Sequence, residues 1–71
     1  MSYTRRLELI LGRAGLDLNP ESRRLLDRAV RETLGMERVD EKEVEKEVEK
    51  VLNSDNKQEF EQKVINLLVS Y

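Results

Sequence analysis

The sequence predicts an all-α fold, a compact bundle of about four short helices over residues 3–14, 20–34, 41–53 and 56–69. Three observations predict it. Apolar residues recur at helical rather than alternating spacing. The single Pro stands where a helix would begin, behind an Asn. Gly15, Gly35 and the run Asn53-Ser54-Asp55-Asn56 punctuate the chain between the periodic stretches.

The first helix, Tyr3 to Ala14, places Tyr3, Leu7, Ile10, Leu11 and Ala14 on one side. Gly12 weakens its last turn, and Gly15 suits a left-handed stop. Leu16 and Leu18 alternate too briefly for a strand and are read as a cover for the end of the bundle. Asn19-Pro20-Glu21 then opens the second helix. The amide oxygen accepts an orphan N–H, Pro lacks one, and Glu faces the positive dipole end. Its inner side is Leu25, Leu26, Ala29, Val30, Thr33 and Leu34, and Gly35 ends it.

Asp40 and Glu43 have capping-box spacing ahead of the third helix. Val44, Val48, Val51 and Leu52 make a narrow stripe there. Glu and Lys fill the rest in a four-residue period, with Glu43/Lys46 among several i, i+3 pairs. Two a/d repeats are too few for a coiled coil. Asp55 and Gln58 repeat the box spacing before the fourth helix, whose stripe is Phe60, Val64, Leu67, Leu68 and Tyr71. No linker or internal repeat divides the chain, so residues 1–71 form one small domain. Short connections favour antiparallel neighbours; a helix pair intertwined with a second copy is the main variant.

Leu, Ile, Val and Phe make up 21 of 71 residues, enough to drive folding. At this length one core rarely supplies more than ~3–5 kcal/mol, and small scaffolds lean on staples or association. There is no Cys and no His, so disulfides and thiolate or imidazole metal sites are excluded as staples. Dimerisation is the expected supplement. Apolar residues outside the stripes say where: Leu9 lies nearly opposite the first stripe, and Ile65 and Val69 fall on a second side of the last helix. The candidate dimer or partner surface is therefore Leu9, Ile65 and Val69. The rival is that Leu16, Leu18 and Met36 fold over these side chains within one subunit.

The charge is segregated. Residues 1–38 carry eight Arg, no Lys and six acids; residues 39–71 carry five Lys, no Arg and nine acids. Arg24, Arg28 and Arg31 fall within about 60° of one another on the second helix, opposite its apolar side. They are the candidate phosphate contacts of an alternative reading, a nucleic-acid-associated regulator. Glu21, Asp27 and Glu32 stand among them and cancel much of that field. A helix-turn-helix made from the second and third helices is rejected, because six carboxylates on its reading helix would face phosphates. Three aromatics, Tyr3, Phe60 and Tyr71, are read as core or edge packing rather than a stacking platform.

Catalysis and cofactors are not expected. Ser2, Ser22, Ser54 and Ser70 have no base of the right kind nearby in sequence, and no Gly-rich loop cradles phosphate. Counted from Asn53, a calcium loop fails at Lys57, Gln58 and Val64, so no metal is expected. No segment approaches the ~20 apolar residues of a membrane span, and no apolar run follows the charged start as in a secretory signal. The expectation is a cytoplasmic, non-catalytic protein–protein interaction module without small-molecule substrate, acting as a homo-oligomer or as an accessory subunit.

Overall fold

In the computed structural model, which describes residues 2–71, the chain forms five helices and, among the described residues, no strand. They are α1 (Ser2–Arg6), α2 (Glu8–Arg13), α3 (Pro20–Leu34), α4 (Glu41–Leu52) and α5 (Lys57–Ser70). The all-α bundle read from the sequence is the fold. The radius of gyration is 10.9 Å, against about 11 Å for a fully collapsed chain of this length.

The first predicted helix is two. Leu7 leaves the helical region, at φ −106° and ψ 10°. Its N–H donates to the Thr4 carbonyl at 3.2 Å, and the Ile10 N–H donates to the Leu7 carbonyl at 3.0 Å. A straight helix over 3–14 would be about 18 Å long and could lie along only one neighbour. The break lets α1 pack on α4 and α2 pack on α5, with both touching α3. Leu7 itself stays in the core, as do Tyr3, Ile10 and Leu11.

Two glycines set the chain direction where the sequence placed stops. Gly15 and Gly35 are left-handed, at φ 78° and 68°. Each closes a Schellman motif: Leu16 N–H to Leu11 carbonyl at 2.9 Å, and Met36 N–H to Arg31 carbonyl at 2.8 Å. The start of α3 is also as read, with Asn19 Oδ1 accepting the Ser22 N–H at 2.8 Å and Pro20 in the first turn.

The other two caps differ. Asp40 and Asn56 make no side-chain cap. At α4 only the Asp40 carbonyl is engaged, by the N–H groups of Glu43 and Val44. Before α5, Ser54 acts in place of the Asp55/Gln58 box. Its Oγ donates to the Val51 carbonyl at 2.7 Å and accepts the Asn56 N–H at 3.1 Å. This tight turn consumes Asn56, so α5 runs from 57 to 70 rather than 56 to 69.

The centre of the molecule is the α3–α5 pair, which has the most extensive contact of any two elements, flanked by α2 and α4 on α5. Sequence neighbours α3 and α4 are not closely packed. Arg31 helps turn the chain away between them. Its Nη1 donates to the carbonyls of Val39 at 2.6 Å and Met36 at 3.3 Å. Its Nε donates to Asp27 Oδ1 at 3.1 Å. The core holds Leu26, Ala29, Val30, Val44, Val48 and Val64 with no exposure. Thr4 and Ser22, which no apolar stripe includes, are buried with them. Leu16 and Met36 pack against this core, whereas Leu18 remains largely exposed.

Candidate interaction surface

The three residues proposed from the sequence as a docking surface part company in the fold. Leu9 is 85% exposed and Val69 66%, but Ile65 is only 7% exposed and belongs to the core. This corrects the expectation of an exposed Ile65–Val69 pair. The helical wheel of α5 shows why. Measured around the helix from Phe60, Val64 lies at about 40°, Leu68 at about 80°, Ile65 at about 140° and Leu67 at about 340°. The expected stripe centres on about 25°, whereas the buried residues Phe60, Val64, Leu68 and Ile65 centre on about 65°. Three helices press on α5, so the covered arc is wide and turned toward Ile65. Leu67 is left half-buried, and Tyr71 moves out of the expected stripe to the edge. Leu16 and Met36 leave Leu9 and Val69 uncovered.

Leu9 borders a cleft of about 390 Å³ between α2 and the α4–α5 turn. The half-buried Leu52 gives it an apolar side, Ile10 lies buried at its base, and Arg6, Arg13, Lys57 and Glu61 stand around it. Val69 does not line it. Arg6 pairs with Glu49 on α4, and Arg13 approaches Glu61 on α5 at 3.8 Å. These bridges tie the basic N-terminal half to the acidic C-terminal half. Arg23 pairs with Glu8 at 3.5 Å within the N-terminal half. A second hollow of about 450 Å³, bounded by Thr33, Asn66 and Leu67 on α3 and α5, opens more widely to solvent. The sequence held one signal of the α2 cleft, Leu9 on the wrong side of its helix. The cleft itself joins residues some 50 positions apart, from Arg6 to Glu61, which no local pattern connects.

The arginine face is divided in the same way. Arg31 has 17% of its side chain exposed and clamps the α3–α4 connection. Arg28 bridges to Glu32 at 3.5 Å and lies 4.5 Å above the Tyr71 ring. Arg24 alone of the three is exposed and has no ion-pair partner among the described residues. Of the acids set among these arginines, Asp27 pairs with Arg31 and Glu32 with Arg28, while Glu21 makes no ion pair among the described residues. Tyr71 donates its hydroxyl to Glu32 at 2.7 Å. Partial burial, that hydrogen bond and the Glu32 charge push its pKa up to about 12, against a downward pull from Arg28.

Among the described residues no three Asp or Glu side chains gather into a group able to hold a metal ion. No helix among them is long and apolar enough to cross a membrane. Comparison with protein-family models, with curated proteins and with solved structures gives no match.

Proposed function

We propose that this chain is a non-catalytic protein–protein interaction module that docks a protein surface on the outer side of α2. One observation carries the reading: Leu9, 85% exposed, stands at the rim of a cleft beside the half-buried Leu52. A lone exposed Leu is ordinary. A Leu beside a hollow supplies both a projection and a recess to a partner, and burying its side chain is worth about 1.5–3 kcal/mol. The proposal places the module in the cytoplasm, where a Cys-free chain forgoes nothing by lacking disulfides.

The test is a photoreactive phenylalanine analogue at position 9, irradiated in the source cells. Adducts of defined mass should form at position 9 and not at position 42, on the exposed face of α4. Absence of adducts at position 9 overturns the reading.

The nucleic-acid alternative loses support from the disposition of its residues. Arg31 is committed to backbone carbonyls and Asp27, and Arg28 to Glu32 and Tyr71. Of the three candidates Arg24 alone is unpaired, and a single arginine on this face would neutralise about one phosphate, which gives a shallow salt dependence.

A further inference from the structure

We infer that the cleft beside Leu9 takes an acidic, apolar segment of a partner protein: an apolar side chain set against Leu9 and Leu52, flanked by carboxylates that reach Lys57 and Arg13. This rests on the reading of α2 as a docking face and adds the chemistry of what docks there.

Charge carries the inference. The chain as a whole is acidic, at a net charge of −2. Yet the cleft is lined by three cations, Arg6, Arg13 and Lys57, and by one carboxylate, Glu61. The fold satisfies these cations unequally. Arg6 is taken by Glu49. Arg13 stands 3.8 Å from Glu61, beyond hydrogen-bond reach. The Glu61 side chain is mostly buried while that of Arg13 is more than half exposed, so the acid is recessed and the guanidinium is open to a second carboxylate. Lys57 is exposed and makes no ion pair among the described residues. It is also the first residue of α5, where the positive end of the helix dipole disfavours a cation. Helix stability therefore does not account for a Lys at this position, whereas an anion held over the cleft gives it a partner.

The apolar residues define the rest of the occupant. Leu9 projects beside the half-buried Leu52, and an occupant that was only charged would leave both against water. The volume of about 390 Å³ falls within the ~300–1,000 Å³ of recesses that hold a compact ligand. It admits a few side chains of a segment rather than a domain face. A nucleic acid fits these features less well. Its affinity grows with the number of phosphates neutralised. Here Lys57 alone is wholly unpaired, and no residue lining the cleft is aromatic for a base to stack on.

The test uses synthetic octapeptides whose flanks are acidic, neutral or basic and whose centre is Leu, Phe or Ser. Each is titrated to about 1 mM, the weak end of recognition, into the isotope-labelled full chain and followed by amide NMR shifts. Only peptides with acidic flanks and a Leu or Phe centre should bind, with shifts at Leu9, Arg13, Leu52 and Lys57 and none at Lys42. Lys57→Glu should weaken binding about 5–10-fold, since it exchanges an exposed attraction for a repulsion. The same substitution should raise the thermal midpoint, because it suits the α5 dipole. A purely structural role for Lys57 does not predict that opposition of signs. Lys42→Glu makes the same change in net charge away from the cleft and should leave binding unaltered. Binding to no peptide, binding indifferent to flank charge or to a Ser centre, or equal effects of Lys57→Glu and Lys42→Glu each overturns the inference. So does displacement of the peptide by single-stranded DNA or inorganic phosphate at the peptide's own concentration, which makes the cleft a phosphate site. In the position-9 photocrosslinking, an adduct to a segment without net negative charge, or to a second copy of this chain, overturns the acidic partner while leaving α2 a docking face. No adduct removes both.

Discussion

Replacing Arg31 by Met should destabilise the fold far more than any surface arginine. The substitution keeps the length and helix propensity of the side chain and removes the guanidinium. What is lost is one short charge-assisted bond, Nη1 to the Val39 carbonyl at 2.6 Å, two longer contacts to Met36 and Glu37, and the Nε–Asp27 pair. A hydrogen bond to a charged group is worth about 1.5–3 kcal/mol. The long contacts add little, because the two hydrogens of Nη1 cannot serve three carbonyls equally well. An expected loss of about 2–3 kcal/mol follows. At about 4–8 °C per kcal/mol for a domain of this size, the midpoint should fall by about 10–20 °C. The assay is thermal unfolding followed by circular dichroism, at one fixed protein concentration so that association does not enter. Arg31→Lys keeps the charge and not the planar fork, so it should recover less than half of the loss. Arg24→Met, at an exposed site, should change stability by less than about 0.5 kcal/mol. A midpoint within about 3 °C of the parent for Arg31→Met would show that the α3–α4 connection is held by something other than this clamp.

Ile65→Ala should cost about 2–4 kcal/mol in urea unfolding and Val69→Ala less than about 0.5 kcal/mol; equal effects would return Ile65 to the surface. Tyr3→Phe should be neutral or stabilising by up to about 1 kcal/mol, because the Tyr3 hydroxyl is buried with no hydrogen-bond partner among the described residues. A clear loss of stability would reveal a partner for that hydroxyl. In the Tyr3→Phe background, an ultraviolet titration should follow Tyr71 alone, ionising near 12 rather than 10. The folded state then holds this proton more tightly than the unfolded chain. The associated stability is complete below pH 10, is lost as pH rises toward 12, and should vanish from the pH profile of Tyr71→Phe.

The helices and most of the positions that face inward are local properties of the chain, and they are legible in it. Periodicity needs no distant contact, so the valines of α4 and the face of α3 with Leu26, Ala29 and Val30 stand out from spacing alone. The Asn19–Pro20 start and the glycine stops at Gly15 and Gly35 are legible for the same reason, since each is satisfied within a few residues by its own backbone. The break at Leu7 is not. It exists because α4 and α5 lie in different directions from the N-terminal segment, a fact that residues 41–70 contribute. Ile65 reads as exposed because a stripe reveals where apolar residues concentrate, while burial depends on how many neighbours surround the helix. Arg31 looks like its exposed neighbours because its partners are backbone carbonyls, which leave no mark in side-chain spacing. Apart from the misplaced Leu9, the α2 cleft leaves no trace in the sequence, for the most general of these reasons. Its walls come from the two N-terminal helices, the end of α4, the turn after it and α5, and the packing of α1 on α4 and of α2 on α5 brings them together.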